Sequence, residues 1–111
     1  MTFDPDRIYI AGPMSGIPDY NRPAFLTAER LLTSVGYSVW NPARNGLPLD
    51  APWDQHMRTD IAVLMTCGRL ALLPGWQRSK GAGIEHDLAV SVGCDIRTVF
   101  RWLEAAERSA A

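Results

Sequence analysis

Leu70-Ala71-Leu72-Leu73-Pro74-Gly75-Trp76-Gln77-Arg78-Ser79-Lys80-Gly81-Ala82-Gly83-Ile84-Glu85-His86-Asp87-Leu88-Ala89 carries the local signals that decide the fold. Its opening residues are apolar without alternation, as in a strand buried on both faces. Pro74-Gly75 ends that strand, because proline brings no donor to a ladder and glycine turns freely. A polar loop follows, then a helix opening near Gly81 and running from about Lys80 to Val92, with Ile84, Leu88, Ala89 and Val92 inward and Gly93 as its cap. Strand, loop and helix in this order form the unit in which open α/β sheets hold ligands, at the carboxyl ends of the strands. Glu85 falls about one turn into the helix and Ser79 just before it. A carboxylate and a hydroxyl thus arrive beside the free N–H groups of a helix start at Lys80-Gly81, a set suited to an anionic, sugar-like substrate.

The same alternation extends through the rest of the chain. Arg7–Ala11 reads as the first strand, ended by Gly12-Pro13; Gly12, Met14, Ser15 and Gly16 then form a loop whose backbone N–H groups can approach a ligand closely. It is not a Walker loop, since no Lys-Ser/Thr follows Gly16 at the required place. Asn21 suits an N-cap and Pro23 a first turn, and Phe25, Ala28, Leu31, Leu32 and Val35 recur at helical spacing up to Gly36. Tyr37–Trp40 is a second strand. The aperiodic stretch Ala43 to Pro52 is a loop long enough to line a site. Trp53 to Cys67 is a helix with Trp53, Met57, Ile61, Leu64 and Met65 on one side, Asp60 at the edge of that side, and Gly68 as its stop. Arg69–Leu73 and Asp95–Phe100 complete the strands, and Arg101–Ala111 is a terminal helix or tail. Strands alternating with helices at this spacing pair in parallel through right-handed crossovers. The expected architecture is a small doubly wound α/β sheet of about four to five strands, Rossmann- or flavodoxin-like, with helices on both faces. Strand order 2-1-3-4 sets the loops after strands 1 and 3 side by side.

Size and charge narrow the function. The chain has 111 residues, enough for a single domain with one core over 7–100. Eleven Lys plus Arg against twelve Asp plus Glu leave a net charge of −1, without the basic excess that duplex nucleic acid calls for. The first residues have no apolar core of a secretory signal, and no apolar run nears the ~20 residues of a membrane helix. Cys67 and Cys94 have neither the number nor the spacing of a zinc site or disulfide framework. These features point to a cytoplasmic protein with buried thiols, no metal and no redox cofactor.

Several segments together carry a resemblance: Ile8-Tyr9-Ile10-Ala11-Gly12-Pro13-Met14-Ser15-Gly16, Phe25, Asn41-Pro42, Met57-Arg58-Thr59-Asp60-Ile61, Leu73-Pro74-Gly75-Trp76, and Ser79-Lys80-Gly81-Ala82 with Glu85. In this order and spacing the chain resembles the nucleoside 2-deoxyribosyltransferase-like superfamily, and more closely the small phage and bacterial domain group DUF4406, from Ile8 to Phe100. The resemblance implies a Rossmann-like fold and, as in the deoxyribosyltransferases and deoxynucleotide N-hydrolases, cleavage of the bond between a base and a deoxyribose. It makes Glu85 the nucleophile, Asp60 a carboxylate on the sugar, Ser79 the holder of a 5′-phosphate, and Gly12, Met14, Ser15 and Gly16 the first phosphate- and sugar-side loop. One departure is Gly68, where relatives commonly carry an aspartate; the base-recognition loop also differs.

That chemistry suits these residue types. Positive charge builds on the sugar as an N-glycosidic bond breaks, and a carboxylate under the anomeric carbon stabilises it or attacks to form a glycosyl ester. The leaving base needs a proton or hydrogen bond, from Asp60 if burial raises its pKa, with His56 and His86 as alternatives. Trp76, Trp53 and Trp40 are candidates to stack on a base, and Arg78 with Lys80 to clamp a phosphate. The expected partner is a small nucleoside or nucleotide, the crevice being finished by a second subunit in a homodimer or larger homo-oligomer. A rival reading on the same fold, suggested by Gly68, is a nucleotide sensor without turnover.

Overall fold

The computed structural model describes residues 2–110. Four strands and four helices alternate: β1 (Asp4–Ala11), α1 (Arg22–Ser34), β2 (Val39–Trp40), α2 (Trp53–Leu64), β3 (Cys67–Leu72), α3 (Lys80–Ser91), β4 (Asp95–Thr98) and α4 (Val99–Ala110). The strands form one sheet, parallel as the spacing of the elements required and in the expected order β2-β1-β3-β4. Its centre is the β1–β3 pair, in register Ile8↔Arg69, Tyr9↔Leu70, Ile10↔Ala71 and Ala11↔Leu72.

Alternation within these apolar runs divides the interior into two layers. Ile8, Ile10, Ala71 and Leu73 face Phe25, Ala28 and Leu32 of α1 and Trp102 of α4. Tyr9, Ala11, Leu70 and Leu72 face the other way, onto Leu64 of α2 and Ala89 of α3. Both faces of the central strands are therefore covered, which is why their sequence shows no polar alternation.

The boundaries moved where tertiary contacts overrode local signals. β1 begins at Asp4 rather than Arg7, its polar start held by a backbone bond from Asp4 N to Thr66 O (2.8 Å) and set off by a register shift before Ile8. β2 contains only Val39-Trp40; Tyr37 instead donates its hydroxyl to the Trp102 carbonyl at 2.7 Å. Gly68 does not stop a helix. It lies inside β3, where a Cβ would fall 2.2 Å from the Pro5 carbonyl oxygen, so the close approach of β1 requires glycine. α2 accordingly ends at Leu64 and not at Cys67. Asn21 precedes α1, but in a left-handed conformation, its amide donating to Pro13 O (2.9 Å) instead of capping the helix. Leu31, Val35, Trp53, Met65 and Val92, expected inward, are exposed, leaving narrower buried stripes. Val99-Phe100 opens α4 rather than ending β4, because the Thr98 hydroxyl accepts from Arg101 N (3.2 Å) and caps the helix start.

α4 is joined to the sheet through Trp102. Its ring is buried beneath the sheet, its Nε1–H donates to Leu70 O at 2.8 Å, and the Arg97 and Arg69 guanidinium carbons lie 4.5 and 5.3 Å from its ring centre. Cys67 and Cys94 are free thiols, and no helix among the described residues is long and apolar enough to cross a membrane. Trp102→Ala should lower the free energy of unfolding by about 3–5 kcal/mol in urea titrations, and Trp102→Phe by clearly less.

Candidate functional site

At the carboxyl ends of β1 and β3 lies a cavity of about 810 Å³, within the size range of small-molecule sites. One wall comes from the Gly12–Ser15 loop, another from Pro74 to Gly81, and the floor from Asp60 of α2 and Glu85 of α3. Parallel order 2-1-3 produces this crevice, since the connections from β1 and β3 leave on opposite faces of the sheet. Two glycines form part of the walls. A Cβ on Gly12 would come within 2.7 Å of Leu73 Cβ, so that position requires a bare backbone, while one on Gly81 would press on the Met57 sulfur at 3.2 Å.

Glu85 is 5% exposed although it lines the cavity. Its carboxylate accepts a hydrogen bond from the hydroxyl of Tyr9, a fully buried residue of β1. Burial pushes its pKa up to about 8; the Tyr9 hydrogen bond acts in the opposite direction, and the nearby Asp60 charge adds to the rise. Tyr9 is raised well above its ordinary value, by burial first and the Glu85 charge second, so it stays a donor.

Asp60 is 6% exposed and sits at the centre of a set of hydrogen bonds that fix one another. The Leu47 N–H donates to Asn45 Oδ1 at 3.0 Å, which orients the amide. Asn45 Nδ2 then gives one proton to Asp60 Oδ1 and the other to His56 Nδ1, both at 2.9 Å. With Nδ1 as the acceptor, Nε2–H donates to Pro48 O at 3.0 Å. Burial raises Asp60 to about 6, while the Asn45 hydrogen bond and the His56 charge interaction pull it down. The cleft therefore holds two buried carboxyls with values on either side of neutrality, so near pH 7 the two carry one proton in total.

A family model described as a domain of unknown function, DUF4406, matches residues 6–98, from within β1 to the end of β4, with both buried carboxyls inside the match. The chain belongs to the DUF4406 family. No curated protein matches it.

Within this DUF4406 domain, Gly12, Met14, Ser15, Asp60, Ser79, Lys80, Gly81 and Glu85 all line the one cavity. Ser79 is the N-cap of α3, its Oγ accepting from Ala82 N at 3.2 Å, which leaves the hydroxyl proton for another acceptor. Arg78 also lines the cleft, and the Lys80 ammonium lies 4.7 Å from the centre of the Trp53 ring at its rim. Gly16 and Trp76 are not brought in. Gly16 lies past the bend of its loop with a φ of 80°, and Trp76 stacks on His86 at 4.4 Å on the far side of the loop after β3. Trp40, the register partner of Tyr9 on β2, stacks on its ring at 5.3 Å. Gly68 is at the opposite end of β3 from the cleft. Sequence reasoning missed Tyr9 and Asn45: the first looked like one more strand residue, the second like part of an aperiodic loop. The four-residue spacing of His56 and Asp60 was the available signal for a shared helix face. Among the described residues no three His, Cys, Asp or Glu side chains group as metal ligands.

The Glu85 carboxyl has a pKa raised from 4.5, so between about 4.5 and about 8 the folded chain holds a proton that the unfolded chain has released. Stability from this group is fully present below 4.5 and is lost as pH rises toward 8. Glu85→Gln should therefore melt higher than the parent at pH 9, by on the order of a few kcal/mol, and the gap should close by pH 4.5; thermal melts across pH test this.

Proposed function

We propose that this chain cleaves or exchanges the N-glycosidic bond of a (deoxy)nucleoside or its 5′-monophosphate, with Glu85 as nucleophile. The observation that carries the reading is the buried Glu85 carboxyl, gripped by Tyr9 and opening into the same cavity as buried Asp60 and the Ser79 helix start. The proposal shares its chemistry with the nucleoside 2-deoxyribosyltransferase-like enzymes, which the sequence resembles.

A Glu85 oxygen attacks C1′ as the bond to the base breaks, and the electron pair passes to the base nitrogen. The departing base takes up the one proton that the two carboxyls carry, so the pair must begin the step with one proton and end it with none. Positive charge developing on the sugar favours the ionised form of Glu85 and leaves the proton on the Asp60 side. Tyr9 holds the attacking carboxylate in place through one oxygen. Water or a second base then displaces the sugar ester, returning the proton and restoring Glu85. The Ser79 hydroxyl, Lys80, Gly81 and the loop of Gly12, Met14 and Ser15 receive the sugar or phosphate end, Arg78 adding charge. A second copy of the chain closing the cleft mouth belongs to the same proposal. The sensor reading drew on Gly68, and Gly68 is fixed by the Pro5 backbone, remote from the cleft.

Incubation with a panel of deoxynucleosides and their 5′-monophosphates should release free base, detected by chromatography. Glu85→Gln should lower the rate by about a thousandfold or more. Tight binding of the panel with no base released would reject catalysis. The rate should follow a bell with limbs near pH 6 and pH 8, since below the first both carboxyls are protonated and above the second both are ionised. Asn45→Ala removes the hydrogen bond that holds Asp60 down, so it should move the acidic limb to higher pH while leaving the fold intact by circular dichroism.

A further inference from the structure

Between the first loop and α1 the backbone adopts an arrangement that L-residues avoid. Asp19, Tyr20 and Asn21 have φ values of 55°, 52° and 58°, three left-handed residues in succession and none of them glycine. Single residues of this kind occur, Asn and Asp most readily; a bulky one between two others is strained unless its surroundings hold it. Here they do. Asn21 Nδ2 donates to Pro13 O at 2.9 Å, Arg22 pairs with Asp19 at 2.8 Å, and Tyr20 N donates to Ile17 O at 2.9 Å. The result is a phenol ring 45% exposed that lines the cleft. Trp53, 42% exposed, lines the same cleft from the start of α2, with the Lys80 ammonium beside its ring. A folded chain ordinarily turns large aromatic surface inward, so two rings displayed around one cavity point to a flat ligand.

We propose that Tyr20 stacks on the planar heteroaromatic ring of the ligand at the cleft mouth, with Trp53 on the opposing rim, and that the left-handed turn exists to present Tyr20 there. This rests on the reading of the cleft as a nucleotide site, but not on catalysis. Strain held at a ligand clamp has a recognisable signature: relieving it helps the fold and harms binding.

Calorimetric titration tests it, on the Glu85→Gln protein so that turnover does not intervene. The probes are the four deoxynucleoside 5′-monophosphates and, as a ligand without a ring to stack, 2-deoxyribose 5-phosphate. Tyr20→Gly should weaken the monophosphates that bind by about tenfold or more, the scale of one base–aromatic stack. Tyr20→Phe should keep their affinity, and the sugar phosphate should bind all three proteins alike. The melting temperature of Tyr20→Gly should equal or exceed that of its parent. Unchanged monophosphate affinity in Tyr20→Gly, an equal loss for the sugar phosphate, a lowered melting temperature, or no binding by any of the four would each overturn the proposal. Tyr20-dependent binding without base release would reject only the catalytic reading, and base release indifferent to Tyr20 only this one.

Discussion

The hydrogen bond from Tyr9 to Glu85 is the constraint on which the site depends. It joins the central strand β1 to the second turn of α3 at the buried edge of the cleft. An ionised carboxyl is costly there without a partner, and a phenol is among the few apolar-bodied side chains able to supply one. Trp40, paired with Tyr9 on the neighbouring strand, stacks on the ring that carries this hydroxyl. The core layer that contains Tyr9, Leu70 and Ala89 thus reaches the cleft through the Tyr9 hydroxyl at Glu85.

Around that bond the two carboxyls are treated differently. Glu85 is held from inside the core by a phenol; Asp60 is held from the loop side by an amide that is itself oriented by Leu47 N–H. The first contact leads to the sheet, and the second to a surface loop tied down through His56 and Pro48. One group is therefore set by the fold and the other by a loop. Such an arrangement separates the proton affinities of two groups that would otherwise compete for the same proton on equal terms.

Much of this was legible in the chain itself. The strand order, the parallel pairing and the meeting of Gly12–Ser15 with Ser79, Lys80 and Glu85 follow from alternating apolar runs and from where Pro and Gly interrupt them. The misplaced features were those decided by contacts distant in sequence. Gly68 looked like a helix stop because glycine usually is one there, whereas Pro5, sixty-odd residues earlier, is what demands it. Tyr37 looked like strand but bonds to Trp102. Trp76 looked like a base platform, yet an indole beside a histidine found its own partner on the helix surface. Asn45 lay in a stretch with no period, and no local pattern marks which amide of a loop will reach a buried acid.

The sheet is also short at both rims. β2 offers two residues of open backbone and β4 four, the latter flanked by the Arg97–Asp95 pair at 3.0 Å. Strand-to-strand growth needs a long, flat row of free donors and acceptors, and neither margin has one. Copies of this chain therefore have little to zip together by backbone. The polymer-forming route open to many naked sheets is closed here by geometry rather than by charge.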